Sequence, residues 1–133
     1  MNERIATCSC GQLRATCTGE PVRVSICHCL ECQKRTGNVF ATQARFARDG
    51  VTVVGRSSQW SRQGDSGGTA TFHFCPVCGA TVYWEPKELP DFVLVAVGAF
   101  ADPDFPPPQV SVYGERKHAW AFSVGSLPMV HEV

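Results

Sequence analysis

From residue 13 to residue 113, apolar and polar side chains alternate in one short window after another, and a period of two predicts strands. Leu13, Ala15 and Cys17 oppose Arg14, Thr16 and Thr18; after the turn residues Gly19, Glu20 and Pro21, Val22, Val24 and Ile26 oppose Arg23 and Ser25. Two alternating segments around such a turn predict a hairpin. Further strands are predicted over 39–46, 51–54, 58–62, 69–74, 81–85, 92–100 and 109–113, separated by breaks such as Arg48-Asp49-Gly50, 64–68 and Pro106-Pro107-Pro108. The single helical piece is 29–36, which Gly37 would cap. With no internal repeat and no dividing linker, residues 1–133 read as one mainly β domain of folded sheets with one short helical turn.

Charge removes some function classes. Twelve basic and twelve acidic residues leave no net field to draw the chain to nucleic acid or an anionic membrane. The opening MNERIATCSC has no apolar run of signal-peptide length, and the longest apolar stretch, 92–97, is far too short to span a bilayer. The expectation is a cytoplasmic protein without nucleic-acid or membrane partners; nothing in the pattern fixes an oligomeric state. In that compartment the eight cysteines point to metal or reactive thiols rather than to four disulfides.

Cys75-Pro76-Val77-Cys78-Gly79 has the form of a zinc knuckle, in which the backbone turns tightly between two thiolates and glycine follows in the left-handed conformation. A tetrahedral structural site needs a second pair. Cys8-Ser9-Cys10-Gly11 offers it, since residues two apart on an extended segment share a face. Buried or disulfide-bonded cysteines are the alternative.

Cys27, Cys29 and Cys32 form a second group: the first two share a face by strand spacing, the last two by helical spacing, and His28 projects away. Structural zinc sites are closed by four protein ligands, whereas catalytic ones keep three and an open position. Three thiolates leave zinc with a formal charge of −1, a poor setting for making hydroxide but a fitting one for a soft thiol. Lys34 and Arg35 could offset the added charge. His73, His118 or Cys17 could instead close the site, although Cys17 shares an apolar face with Leu13 and Ala15, and His73 alternates with Phe72 and Phe74.

These motifs resemble the glutathione-dependent formaldehyde-activating enzyme family, also called the Gfa or centromere-protein-V family, whose fold is Mss4-like. The likeness runs through Cys8-Ser-Cys10-Gly11, Gly19-Glu20-Pro21, Cys27-His28-Cys29-x-x-Cys32 with Thr36-Gly37, Phe74-Cys75-Pro-x-Cys78-Gly79, Val97-Gly98 with Asp102-Pro103, and Lys117-x-x-Trp120 with Leu127-Pro128. It implies a structural zinc on Cys8, Cys10, Cys75 and Cys78 and a catalytic zinc on Cys27, Cys29 and Cys32. It also implies a carbon–sulfur lyase joining glutathione and formaldehyde as S-(hydroxymethyl)glutathione. The chain is compact beside the family's glutathione-specific members, so the thiol and aldehyde stay open.

Around the three-cysteine group, Gln33, Lys34 and Arg35 are candidates to meet a carboxylate-bearing thiol, and Trp120 to wall its pocket, although exposed charges are commonly just solvated and a tryptophan is as readily core. No Ser-His-Asp arrangement or phosphate loop is visible in the sequence. The rival to an enzyme is a non-enzymatic zinc scaffold in which both metals only hold the fold.

Overall fold

The computed structural model describes residues 2–64 and 67–121; Leu127, Pro128 and His131, and the Asp65-Ser66 part of the 64–68 break, lie outside them. Among the described residues the strands are β1 Glu3–Thr7, β2 Arg14–Thr18, β3 Arg23–Cys27, β4 Ala41–Ala47, β5 Val51–Val54, β6 Ser58–Gln63, β7 Thr69–Phe74, β8 Thr81–Pro86, β9 Phe92–Ala96 and β10 Val110–Val112. The helix, α1, is Leu30–Thr36. The mainly β class and the single helical piece are as expected.

A three-stranded antiparallel sheet has the order β1-β2-β5, and a seven-stranded sheet the order β10-β3-β4-β9-β8-β7-β6. The larger sheet is antiparallel except at its edge, where β10 runs parallel to β3. The hairpin expected over 13–26 does not form. Cys17 pairs with Arg4 and Val51 in the small sheet, while Val24 pairs with Ala44 in the large one, so Gly19 to Pro21 carries the chain between sheets. Period two decides which residues face inward and says nothing about which strand lies alongside. The strand expected over 92–100 also ends early, at Ala96, and Val97–Phe100 turns as a 3₁₀ segment closed by Ala101 at φ 51°.

The two sheets share one core. Ala6, Leu13, Ala15 and Cys17 from the small-sheet side meet Val24, Ala44, Phe46, Val82, Val93 and Val95 from the large sheet. Alternation then fixes the opposite face of the large sheet: Phe72, Trp84 and Leu94 are cross-strand neighbours there, as are Cys27 and Ala41. Helix α1 lies over this second face, its Arg35 guanidinium stacked 4.7 Å from Phe72 and 4.4 Å from Trp84. Where β5 leaves the small sheet, Gly55 sits at φ 103° with its Cα against the backbone of Gln12, so no side chain fits there.

Candidate metal centres

All eight cysteines are free, and seven of them form two groups whose sulfurs lie within 4.8 Å of one another: Cys8, Cys10, Cys75 and Cys78, and Cys27, Cys29 and Cys32. The remaining one, Cys17, is fully buried in the shared core, where burial pushes its thiol up to about 12 against the pull of Arg4.

The first group is two matching turns. Gly11 N–H returns to Cys8 O at 3.0 Å and Gly79 N–H to Cys75 O at 2.9 Å, and both glycines are left-handed, at φ 85° and 81°. Cys8 and Cys10 are therefore brought together by a turn rather than by the extended segment expected from their spacing. Cys10 Sγ stands 3.6 Å from Cys8 Sγ and 3.7 Å from Cys75 Sγ. Tetrahedral zinc with bonds of about 2.3 Å to sulfur requires edges of about 3.8 Å, so this donor set fits the ion. Burial alone would raise the Cys75 thiol, but donation from the Cys78 and Val77 amides and from Gln12 Nε2, at 2.9 Å, brings it down to about 6.

The second group forms where β3 runs into α1. Cys29, extended at φ −59° and ψ 149°, caps the helix: its Sγ accepts from the Cys32 amide at 3.2 Å. Gly37, left-handed at φ 72°, ends it by donating to Gln33 O at 2.8 Å. Strand spacing and a cap thus point three sulfurs at one place, each residue only 5% exposed. Hydrogen bonding from Cys27, helped by Cys29 and by the charges of Arg35 and Arg62, brings the Cys32 thiol down to about 5 despite burial. The Cys27 thiol is pushed up, chiefly by its hydrogen bond to Cys32, and the Cys29 thiol by burial.

No fourth protein ligand joins this group among the described residues. His73 is bonded to Glu85 at 2.7 Å and Ser57 at 3.3 Å and stacks on Tyr83; His118 Nε2 lies 3.0 Å from Gln33 Oε1; and His28 packs near Phe40. The three cysteines instead line a cavity of about 370 Å³ with Gln43, Arg62, Phe72, Trp84, Leu94 and Tyr113 among its walls.

Of the side chains expected around this site, Arg35 stacks over Phe72 and Trp84 and is not among the residues that line the cavity. Gln33 instead ties the helix down, donating to His28 O at 3.0 Å and Arg116 O at 3.2 Å. Lys34 is 78% exposed and pairs with Glu31, and Trp120 is half-exposed beside His118. Neither they nor Gln33 line the cavity. The residue that sequence reasoning missed is Arg62, whose Nη2 donates to Cys32 Sγ at 3.6 Å. Its one signal is alternation: Trp60 and Arg62 face the same way on β6, toward Phe72 and Ala70.

A mainly β frame carrying one cluster of four cysteines and another of three beside a cavity defines the class: a β protein whose thiolate groups could hold two metal ions, with zinc fitting the donor set. The sequence profile of the glutathione-dependent formaldehyde-activating enzyme matches residues 3–116, and the chain belongs to that family. A structural-genomics crystal structure of a Rhodobacter sphaeroides protein has a similar fold. It superposes with a TM-score of 0.57 at 21% identity, covering 80% of this chain and 97% of that one. Among curated proteins none matches the sequence significantly. Among the described residues no helix is long and apolar enough to cross a membrane.

Proposed function

We propose that this chain acts as one domain, a zinc-dependent carbon–sulfur lyase of the formaldehyde-activating type, joining a thiol such as glutathione to a small aldehyde at Cys27, Cys29 and Cys32. One observation carries the reading: these three buried cysteines open on a cavity without a fourth protein donor among the described residues, whereas the other cluster has all four. A zinc ion held by three thiolates would take the incoming thiol as thiolate and keep it nucleophilic at neutral pH. In the reaction a carbon–sulfur bond forms, the aldehyde π bond breaks, and the thiol proton ends on the aldehyde oxygen.

The chain's own residues supply the rest. Phe72, Trp84 and Leu94 give the cavity apolar walls that exclude water, and confinement of both reactants favours addition through proximity. Arg35 places positive charge beside Cys32, and Gln33 fixes the helix that carries Cys29 and Cys32. Lys34 and Trp120 remain proposed contacts for the outer part of a larger thiol. Cys8, Cys10, Cys75 and Cys78 hold a structural zinc. Thiolate clusters of this kind persist in a reducing compartment, which supports a cytoplasmic setting.

The test is ¹³C NMR of labelled formaldehyde with glutathione. Exchange between aldehyde and hemithioacetal should speed up with the zinc-loaded protein and return to the buffer rate with Cys32→Ser. Exchange at the buffer rate with two zinc ions bound would leave the scaffold reading standing.

A further inference from the structure

Arg35 and Arg62 come from elements far apart in the chain, yet both guanidiniums lie over the same Phe72 ring, at 4.7 and 5.0 Å, and Arg62 Nη2 reaches Cys32 Sγ at 3.6 Å. Two like charges so close repel each other. Neither has a carboxylate within ion-pair distance among the described residues, and Nε of both is buried without a partner. Glu88, which shares the cavity wall with Arg62, has its carboxylate turned to the Thr69 amide, at 2.9 and 3.2 Å. The negative charge opposite the two arginines is therefore that of the cysteine cluster.

We infer that Arg62, paired with Arg35, matches the fourth position of the three-cysteine site to a singly charged anion, so that the site takes a thiol as thiolate in preference to a neutral ligand. The inference rests on the thiol chemistry proposed above and adds the residue that sets the preference. The charge count carries it. Three thiolates and a divalent ion carry −1, a fourth thiolate makes −2, and two guanidiniums return the site to neutrality. With water or another neutral donor in the fourth position, one positive charge is left over in a half-buried site. Arg62 fits the role because arginine stays charged at any working pH, and its planar fork stacks on Phe72 while one amino group reaches the sulfur. It acts through Cys32 and is a specificity-setting residue rather than a catalytic one.

The experiment uses the full chain loaded with cobalt(II), whose visible spectrum reports the ligands of the open site. 2-Mercaptoethanol, 3-mercaptopropionate and imidazole are titrated into the wild type, Arg62→Met and Arg62→Lys. Arg62→Met should weaken both thiols by about tenfold, ~1.4 kcal/mol, and leave imidazole within about twofold, while Arg62→Lys keeps most of the thiol affinity. Equal loss for thiols and imidazole would show a structural role. Loss confined to 3-mercaptopropionate would show a carboxylate reader, and unchanged thiol binding would show no role; each of these overturns the inference. If Arg62→Met binds less cobalt or melts early, Arg62→Gln carries the same comparison. A wild type that takes up neither thiol defeats the proposed function itself, before any variant is compared.

Discussion

Cys10→Ser is the cleanest probe of the four-cysteine site. Cys10 is exposed on a turn, and its sulfur faces the other sulfurs of its cluster, with Cys8 and Cys75 at 3.6 and 3.7 Å, so the substitution opens no cavity in the apolar core. A serine on such a surface turn would ordinarily change stability by no more than about 0.5 kcal/mol. The metal changes that. Cys10 and Cys75 lie 65 residues apart, and a crosslink closing a loop of that length stabilises the fold by about 4 kcal/mol through chain entropy alone. For a domain of this size that corresponds to a melting temperature lower by roughly 12–20 °C. Thermal melts followed by circular dichroism, with and without a chelator, read it directly: the wild type should fall toward the variant when chelated, and the variant should barely move. A variant that melts with the wild type and still binds two zinc ions would refute the structural assignment.

Other consequences can be checked singly. Cys75→Ser and Cys78→Ser should lower the melting temperature at least as far as Cys10→Ser, since Cys75 also receives the Gln12 side chain and two amides; wild-type stability in both would be incompatible with a structural site. Cys29→Ser keeps an oxygen to cap α1 and should leave a folded protein with one zinc by elemental analysis, whereas two ions would break the grouping. Gly55→Ala drives a Cβ into the Gln12 carbonyl oxygen at a left-handed φ, and should cost about 2–4 kcal/mol in denaturant unfolding. Burial raises the Glu85 carboxyl, but Arg48 at 2.6 Å and His73 at 2.7 Å hold it below its ordinary value, so its stabilisation exists above the unfolded pKa and is lost as pH falls through the folded one. Glu85→Gln should therefore cost about 1–3 kcal/mol at neutral pH, and the difference from wild type should shrink through the acid range. A difference that grew there would reverse the sign.

The metal sites were more legible than the strand order. Cysteine spacing is a local quantity, and the turns at Gly11 and Gly79 and the cap at Cys29 are local devices, so the grouping of seven sulfurs could be read along the chain. Even there the pairing of Cys8 with Cys10 rests on a turn that alternation does not describe. Pairing between strands is non-local, which is why alternation around a turn joins 13–18 to 22–26 although β1 and β5 are the partners of β2. β1 itself was hidden: its inward residue is the small Ala6, while Ile5 is largely exposed, so Glu3–Thr7 shows no apolar stripe. The same limit applies to the cavity. Sequence points to Lys34 because it follows Cys32 and to Trp120 because it ends the Lys117-x-x-Trp120 motif, while Arg62, thirty residues beyond Cys32, reaches its sulfur through the register of β6 against β7.

Zinc X-ray absorption with and without added thiol bears most directly on the central claim. The account predicts seven cysteine sulfurs and one light donor shared between two zinc ions in the thiol-free protein, with sulfur replacing the light donor when glutathione or 2-mercaptoethanol is added. Two ions already surrounded by protein donors, with a spectrum that thiol leaves unchanged, would contradict it.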